Sequence, residues 1–145
     1  MASPNINQGT LNRLRASVVF PAYPSLSVVS SFLGKRGISV TFIGKSTVML
    51  DAMTGRVTSP EPYLGVTMTM HLLKSQYLAN LYKLQQELFT LLSDCTVRPD
   101  AATLQPYYFS NCAIESTGNL DFSGADADFP VEIGATYMVN AALFL

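Results

Sequence analysis

The stretch from Ser75 to Leu92, SQYLANLYKLQQELFTLL, constrains the fold most, because it is the only long segment of the chain with clear helical periodicity. At ~100° per residue, its apolar side chains cover about half of the helix surface. Ser75 is placed to cap the free amides of the first turn. We therefore predict a helix over about Ser75 to Leu92 that lies on a broad apolar surface. The residues expected to make this contact are Leu81, Leu84 and Leu88.

The segments on both sides of this helix have the composition and alternation of β-strands. Leu64 to Leu72 alternates apolar with small polar residues and leads directly into the helix. The runs Ile38 to Phe42 and Thr47 to Ala52 flank a Gly-Lys turn, so the segment Ile38 to Ala52 is predicted to be a β-hairpin. Residues 53–62 are predicted to be a loop or a ragged strand, and Ser93 to Thr103 a loop. Further strands are predicted over Arg15 to Phe20, Gln105 to Ser116 and Pro130 to Leu145.

These elements predict an α+β fold class, a mainly antiparallel β-sandwich or barrel-like subunit with one flanking α-helix. The length of 145 residues suits one domain over residues 1–145, with residues 1–11 as a polar N-terminal arm. The start MASPNINQG lacks the apolar core of a signal peptide. No apolar run approaches the ~20 residues of a membrane-spanning helix. We expect a soluble chain, made in a reducing cytoplasm, that contacts no membrane.

The chain is poor in charge. Charged residues make up 13% of it, whereas an average soluble protein has ~25%. A monomer with so few charges would present much uncharged surface to water. We therefore expect other subunits to cover a large share of this surface. The alternative is a monomer whose surface is rich in Ser, Thr and Asn.

The charges that are present divide along the sequence. Residues 1–98 hold all nine basic residues and four acids, a net charge of +5, whereas residues 99–145 hold six acids and no Lys or Arg, a net charge of −6. The two parts could complement each other between subunits, or they could meet within one subunit. No basic run is typical of a protein that binds nucleic acid tightly.

The motifs that could carry catalytic or binding chemistry are incomplete. GKST at 44–47 resembles the end of a phosphate-binding loop, but position 39 is Ser where that motif needs Gly. His71 is the only histidine, and a Gly-x-Ser-x-Gly elbow is missing. Cys95 and Cys112 have no close-spaced ligand partner for zinc and are predicted to be buried thiols. The sequence predicts no catalytic, cofactor-binding or metal-binding residue, no cofactor and no enzymatic activity.

Three aspartates lie within eight residues, at Asp121, Asp126 and Asp128. Their spacing does not match that of an EF-hand loop. Three roles stay open for them, namely binding a cation, forming a solvated loop, or contacting a neighbouring subunit.

From Leu14 onward, the chain contains the segment ISVTFIGKSTVMLDA, predicted as a hairpin, then the strand GVTMTMHLL running into the helix KSQYLANLYKLQQELF, and the last strand VEIGATYMVNAALFL. This order of elements resembles the inner tail tube protein of contractile-tailed bacteriophages. The resemblance lies in element order, length and an acidic turn before a long final strand. The tubes of type VI secretion systems and of pyocins look similar.

This resemblance implies a structural virion protein of the tail, whose hexameric rings stack head to tail into the conduit for DNA ejection. The implied partners are further copies of the chain, the tail sheath, the tape measure protein, the baseplate and the tail terminator. DNA would pass without specific binding, since an acidic or neutral lumen repels phosphate. We expect the segment Ile38 to Ala52 to join neighbouring subunits, and assembly to bury the C-terminal strand. Another ring-forming tail component, a monomeric ligand-binding β-barrel and a small enzyme stay open as alternatives.

Overall fold

The computed structural model describes Gly9 and residues 16–99 and 103–145, so all of the predicted N-terminal arm except Gly9 lies outside the described residues. The described part contains eight strands and one α-helix. In chain order they are β1 (Ser17–Val19), β2 (Leu33–Ile43), β3 (Thr47–Ala52), β4 (Gly55–Pro60), β5 (Tyr63–Leu73), α1 (Tyr77–Leu88), β6 (Leu91–Arg98), β7 (Tyr107–Thr117) and β8 (Asp128–Met138).

Six of these strands form one antiparallel sheet in the order β1-β6-β7-β8-β5-β2, and the sheet curls into a half-barrel. Strands β3 and β4 pair only with each other and form a separate two-stranded sheet. The predicted α+β fold class, mainly antiparallel and barrel-like with one helix, is confirmed.

Strand β5 shows how the sequence pattern builds the core. Its alternate residues Val66, Met68, Met70 and Leu72 are each at most 2% exposed. Because side chains alternate across a strand, these four lie on the concave face of the half-barrel. The register places Ile133 of β8 opposite Met68, on the same face. The predicted strand and its buried face are confirmed here.

The helix is shorter than predicted at both ends. It begins at Tyr77 after Gln76, which is the N-cap, so Ser75 does not cap it. It ends at Leu88, and Phe89 adopts an extended backbone. Leu91 and Leu92 instead begin β6, which pairs with β7. Pairing with the sheet therefore overrides the apolar periodicity of these last residues.

The predicted contact face of the helix is wrong for Leu84 and Leu88, whereas Leu81 is partly buried and packs against the core as predicted. Leu78, Ala79 and Tyr82 are the buried helix residues, whereas Leu84 is 49% and Leu88 81% exposed. The apolar arc covers half of the cylinder, so periodicity alone does not select which part of it meets the core. The Tyr82 hydroxyl donates a hydrogen bond to the Leu26 carbonyl oxygen at 2.5 Å, which helps to fix the rotation of the helix. Burial of this hydroxyl raises the pKa of Tyr82.

The predicted hairpin over Ile38 to Ala52 is also wrong. Strand β2 pairs with β5, where Ile38 lies opposite Met70 and Ile43 opposite Gly65. Strand β3 pairs with β4 instead, so residues 53–62 contain a regular strand after a tight turn. The Gly-Lys segment, with Gly44 at φ 95°, connects the two sheets. The alternation of β2 was identified correctly, but alternation does not name a strand's partner.

Two further strand predictions need correction. The predicted loop Ser93 to Thr103 contains most of β6. The predicted strand Pro130 to Leu145 ends early, since β8 stops at Met138 and a short 3-10 turn follows over Ala141–Phe144. Asn140, with φ 53°, adopts the left-handed conformation that ends the strand. The strands predicted near β1 and β7 are confirmed.

We predict that Leu78→Ala and Leu84→Ala will differ sharply in their effect on stability. Leu78 is 1% exposed, so its truncation should lower the free energy of unfolding by ~2–5 kcal/mol. Leu84 is 49% exposed, and its truncation should change the free energy of unfolding by less than ~0.5 kcal/mol in the free subunit. Urea unfolding of the two variants measures both values. Equal losses would contradict the observed rotation of the helix.

Candidate assembly surfaces

The β3–β4 hairpin, Thr47–Pro60, projects from the half-barrel. Val48 and Ser59 are half-buried, and every other residue of the hairpin is exposed. Leu50 and Val57 face each other across the strands with 51% and 55% exposure, and Met53 at the turn is fully exposed. A two-stranded hairpin is marginally stable in water by itself, and clustered exposed apolar residues are typical of a surface that a partner covers.

The two faces of this hairpin differ in chemistry. Leu50 and Val57 share one face, which is apolar. On the other face, the next cross-strand pair is Asp51 and Arg56, whose carboxylate and guanidinium lie 3.1 Å apart. Both charged side chains are mostly exposed, so this ion pair adds little to stability.

One side chain fastens the base of the hairpin to the half-barrel. The amide of Asn140 donates hydrogen bonds to the carbonyl oxygens of Ser46, at 2.9 Å, and Glu61, at 2.7 Å. These two residues flank the hairpin, and the Glu61 N–H also donates to the Ser46 carbonyl at 2.8 Å. Nearby, the Val139 N–H donates to the carbonyl oxygen of Pro62 at 3.1 Å. The end of β8 therefore sets where the hairpin leaves the body.

The two edges of the six-stranded sheet are not equivalent. At the β1 edge, Val18 and Val28 exchange two backbone hydrogen bonds of 2.9 and 2.7 Å, which cover that short strand. At the other edge, β2 runs for 11 residues and pairs only with β5 in the described part of the chain. A long strand with a free edge is a template for a strand from another chain.

The face of the sheet that points away from the core is polar and lacks cations over most of its area. Residues 39–43, 65–71, 107–117 and 130–138 contain no Lys or Arg. Thr67 and Thr41 are cross-strand neighbours on this face, as the register shows. Glu132 accepts a hydrogen bond from the Ser116 hydroxyl at 2.8 Å. Hydroxyl and carboxylate groups therefore occupy the middle of this surface, whereas exposed apolar side chains lie at the end where Tyr63 pairs with Met138.

A cleft of about 630 Å³ opens between β2 and the β6–β7 side of the half-barrel. Its apolar lining includes Val40, Phe42, Tyr107 and Phe109. The Phe42 ring lies 6.1 and 6.2 Å from the rings of Tyr107 and Phe109. The volume is within the ~300–1,000 Å³ range of small-molecule sites. Exposed basic side chains also line the cleft, those of Lys35, Arg36 and Arg98.

The side chains considered above for catalysis, phosphate binding or metal binding lie at several places in the structure. His71 lies on the face of β5 opposite the core, and its Nδ1 atom is 3.1 and 3.2 Å from the two carboxylate oxygens of Asp128. Arg36 approaches the same carboxylate at 3.9 Å. Opposite charges from the two parts of the chain therefore meet within one subunit at Asp128. The GKST segment is exposed and joins two strands, so it has no following helix.

The acidic loop is held through its backbone. The Lys74 ammonium donates hydrogen bonds to the carbonyl oxygen of Asp126 at 2.7 Å and to that of Asp121. The Asp126 side chain accepts a hydrogen bond from the Asp128 N–H at 3.0 Å. No group of three His, Cys, Asp or Glu residues within the described ranges is arranged to hold a metal ion.

Comparison of the chain with protein-family models, with curated proteins and with solved structures found no match. Within the described residues, no helix has the length and apolar character needed to cross a membrane.

Sequence reasoning missed the three features that define these surfaces, which are the position of the hairpin, the free β2 edge and the Asn140 contact. The Asn140 contact gives no sequence signal, because its partners are carbonyl groups 94 and 79 residues away. The hairpin had a weak signal in the TG pair at 54–55, since Gly favours tight turns.

We predict that Asn140→Gly will loosen the hairpin without unfolding the half-barrel. Glycine accepts the positive φ of this position but removes both amide hydrogen bonds, a loss of ~1–3 kcal/mol. Hydrogen exchange at the Glu61 amide should accelerate at least tenfold, while exchange in the centre of β5 stays unchanged. Asn140→Asp is the matched variant, because it keeps the shape but replaces the amide donor by a carboxylate. It should accelerate exchange at least as much. Unchanged exchange at Glu61 in both variants would contradict the assigned contact.

Proposed function

We propose that this chain is the structural subunit of a bacteriophage inner tail tube, in which hexameric rings stack head to tail into the conduit for DNA ejection. The proposal rests chiefly on the free edge of β2. A half-barrel sheet that ends in a strand of 11 residues whose outer edge has no partner among the described residues is open on one side. A neighbouring copy could extend it, and a ring of copies would then close into one continuous barrel.

Closure of this kind has a physical advantage. The free backbone N–H and C=O groups of β2 would gain hydrogen-bond partners, and the risk of uncontrolled edge pairing would disappear. The contact is heterologous, because the β2 edge of one copy meets a different surface of the next, and such contacts close into rings when the rotation allows. A ring subunit of this type needs no cofactor and no catalytic residue.

The hairpin is suited to the contact between stacked rings. It projects from the body, is fastened at its base by Asn140, and exposes Leu50, Met53 and Val57. Covering these side chains by the adjacent ring would remove apolar surface from water, at ~25 cal/mol per Å². The free subunit would expose them, which agrees with a protein that functions in assembled form in the virion tail.

The polar face of the sheet is suited to the lumen. Its Thr hydroxyls and the carboxylate of Glu132 offer no fixed positive charge to a phosphate backbone. Proteins that hold DNA do so largely through Lys and Arg, which release condensed counterions. A lumen without them would let DNA pass without trapping it. The tail sheath, tape measure protein, baseplate and tail terminator are the partners that this function would require.

Two other functions use the same features differently. A tail terminator or baseplate component would share the β2 contact but form one ring without stacking. A monomeric ligand-binding β-barrel is favoured by the aromatic cleft of about 630 Å³. Solution assembly distinguishes the three, since stacked tubes, single rings and monomers differ in size-exclusion chromatography and in negative-stain electron microscopy.

We predict that Leu50→Lys will abolish tube formation. A lysine at this position would place a charge in the apolar contact between rings, whereas the free subunit, in which Leu50 is 51% exposed, should keep its thermal midpoint within ~2 °C. Negative-stain microscopy of the purified variant gives the readout. Thr58→Lys places the same charge on the opposite face of the hairpin and is the matched control, which should retain tubes. Normal tubes from Leu50→Lys would refute the stacking role of the hairpin, and wild-type protein that stays monomeric would refute the tail-tube function.

We further predict that Thr67→Lys will make assembled tubes retain DNA. The substitution adds one cation per subunit to the polar face, opposite Thr41 and Gly134. Retention of a short duplex should weaken steeply as salt rises from 50 to 200 mM, as expected for ~6 phosphate contacts. Thr67→Gln keeps the site polar and uncharged and should behave as wild type. DNA retention by neither variant would indicate that this face does not line the lumen.

A further inference from the structure

Two cysteine side chains meet in the core between β6 and β7. The Sγ atoms of Cys95 and Cys112 lie 3.2 Å apart, and the residues are 2% and 1% exposed. Both are free thiols. The separation is shorter than an ordinary contact between sulfur atoms, and the two atoms need to approach by about 1.2 Å to reach the ~2.0 Å length of a disulfide bond.

Irregularities in both strands produce this meeting. Leu92 and Cys95 are both buried although they are three residues apart, and the same holds for Phe109 and Cys112. In a regular strand, residues three apart point to opposite faces. Register shifts occur in both strands between these residues. In each strand the alternation of inward and outward side chains therefore shifts by one residue, at the same level of the sheet. As a result, both cysteines point into the core and face each other.

Each of these irregular segments contains a residue with an uncommon backbone. Ser93 has φ 68° and Asn111 has φ 53°, the left-handed region that residues other than glycine seldom adopt. Such conformations cluster at sites where the surrounding structure holds them for a function. Two such residues lie next to this pair of thiols, which marks this part of the sheet as a candidate functional site.

We propose that Cys95 and Cys112 are an oxidisable pair that closes into an intramolecular disulfide cross-linking β6 to β7. The inference is independent of the tail-tube proposal. A small oxidant of the peroxide class suits the site, because both sulfur atoms are buried. A chain made in a reducing compartment would fold with both thiols free and would acquire the cross-link on meeting the oxidant.

The reaction balances with hydrogen peroxide as the oxidant. The Cys112 thiolate attacks one peroxide oxygen, so an S–O bond forms, the O–O bond breaks, and the departing hydroxide takes a proton to become water. The Cys95 sulfur then attacks the Cys112 sulfur, so the S–S bond forms and the S–O bond breaks. The hydroxide that leaves takes the Cys95 proton and becomes a second water. Two thiols are oxidised and one peroxide is reduced.

The environment of the pair favours Cys112 for the first step. Once Cys112 is ionised, the hydrogen bond from the Cys95 thiol stabilises the thiolate and lowers the pKa of Cys112. The same hydrogen bond, followed by burial, raises the pKa of Cys95. The thiolate is the reactive form of cysteine, and these two directions favour Cys112 as the nucleophile and Cys95 as the resolving thiol.

The test treats the folded, purified full chain with hydrogen peroxide and follows it by intact mass spectrometry. The expected product is monomeric, lighter by about 2 Da for the two hydrogens lost, and contains no titratable thiol after denaturation. Peptide mapping without reductant should find Cys95 linked to Cys112, and the thermal midpoint should rise on the order of 10 °C. A reductant should restore the original mass and midpoint.

Cys112→Ser is the matched variant, because it removes one sulfur and keeps the side-chain size similar. Its mass should not fall under the same treatment, and its remaining thiol should stay titratable or carry added oxygen. The peptide map of the wild-type protein tests for the cross-link even if this variant does not fold. Both thiols intact in the treated folded protein, while the denatured protein loses them, would overturn the proposal. So would cross-linked dimers as the main product.

Discussion

The pairing of β5 with β8 is the constraint on which the rest of the structure depends. It runs without a register shift from Tyr63 opposite Met138 to Leu73 opposite Asp128. One consequence is chemical, since the buried alternate residues of both strands form the centre of the core. The other consequence concerns the positions of the residues near the two ends of β8. The same register places Asn140, two residues beyond β8, beside the base of the hairpin, and it places Asp128 where His71 can reach it.

How far the sequence predicts this fold depends on the kind of information that each pattern carries. Alternation reports which face of a strand is buried, and it identified the buried face of β5 correctly. It does not report which strand is the neighbour, so the sequence predicts that the strand over Ile38 to Phe42 pairs with β3, whereas β2 pairs with β5. Alternation is also lost where an irregularity shifts the inward and outward side chains of a strand by one residue. For this reason the segment around Ser93 does not show the sequence pattern of a strand. The helix was found, but its apolar arc was too wide to show that Tyr82 faces the core and Leu84 does not.

The candidate surfaces also combine features that the sequence predicts with features that only the tertiary fold creates. The lack of Lys and Arg after residue 98 is a sequence property, and the structure places the cation-free strand β8 next to β5, which also contains no Lys or Arg. The free β2 edge could not be predicted, because an edge is defined by what does not pair with it. The cleft depends on Phe42 and Tyr107, which are 65 residues apart and meet only because the sheet curls. These are properties of the tertiary fold, and local patterns carry no information about them.

The contact of Asn140 with the base of the hairpin has a mechanical consequence. A load applied to the hairpin enters the half-barrel through the chain at Tyr63, where β5 begins, and through this amide near the end of β8. The hydrogen bonds of an antiparallel pair lie perpendicular to the strands. Because Tyr63 pairs with Met138, β5 and β8 receive the load at the same end, and the bonds between them tie the two attachment points together. The hairpin is therefore attached to both strands of the longest unbroken ladder of the sheet at one end, so these strands share the load.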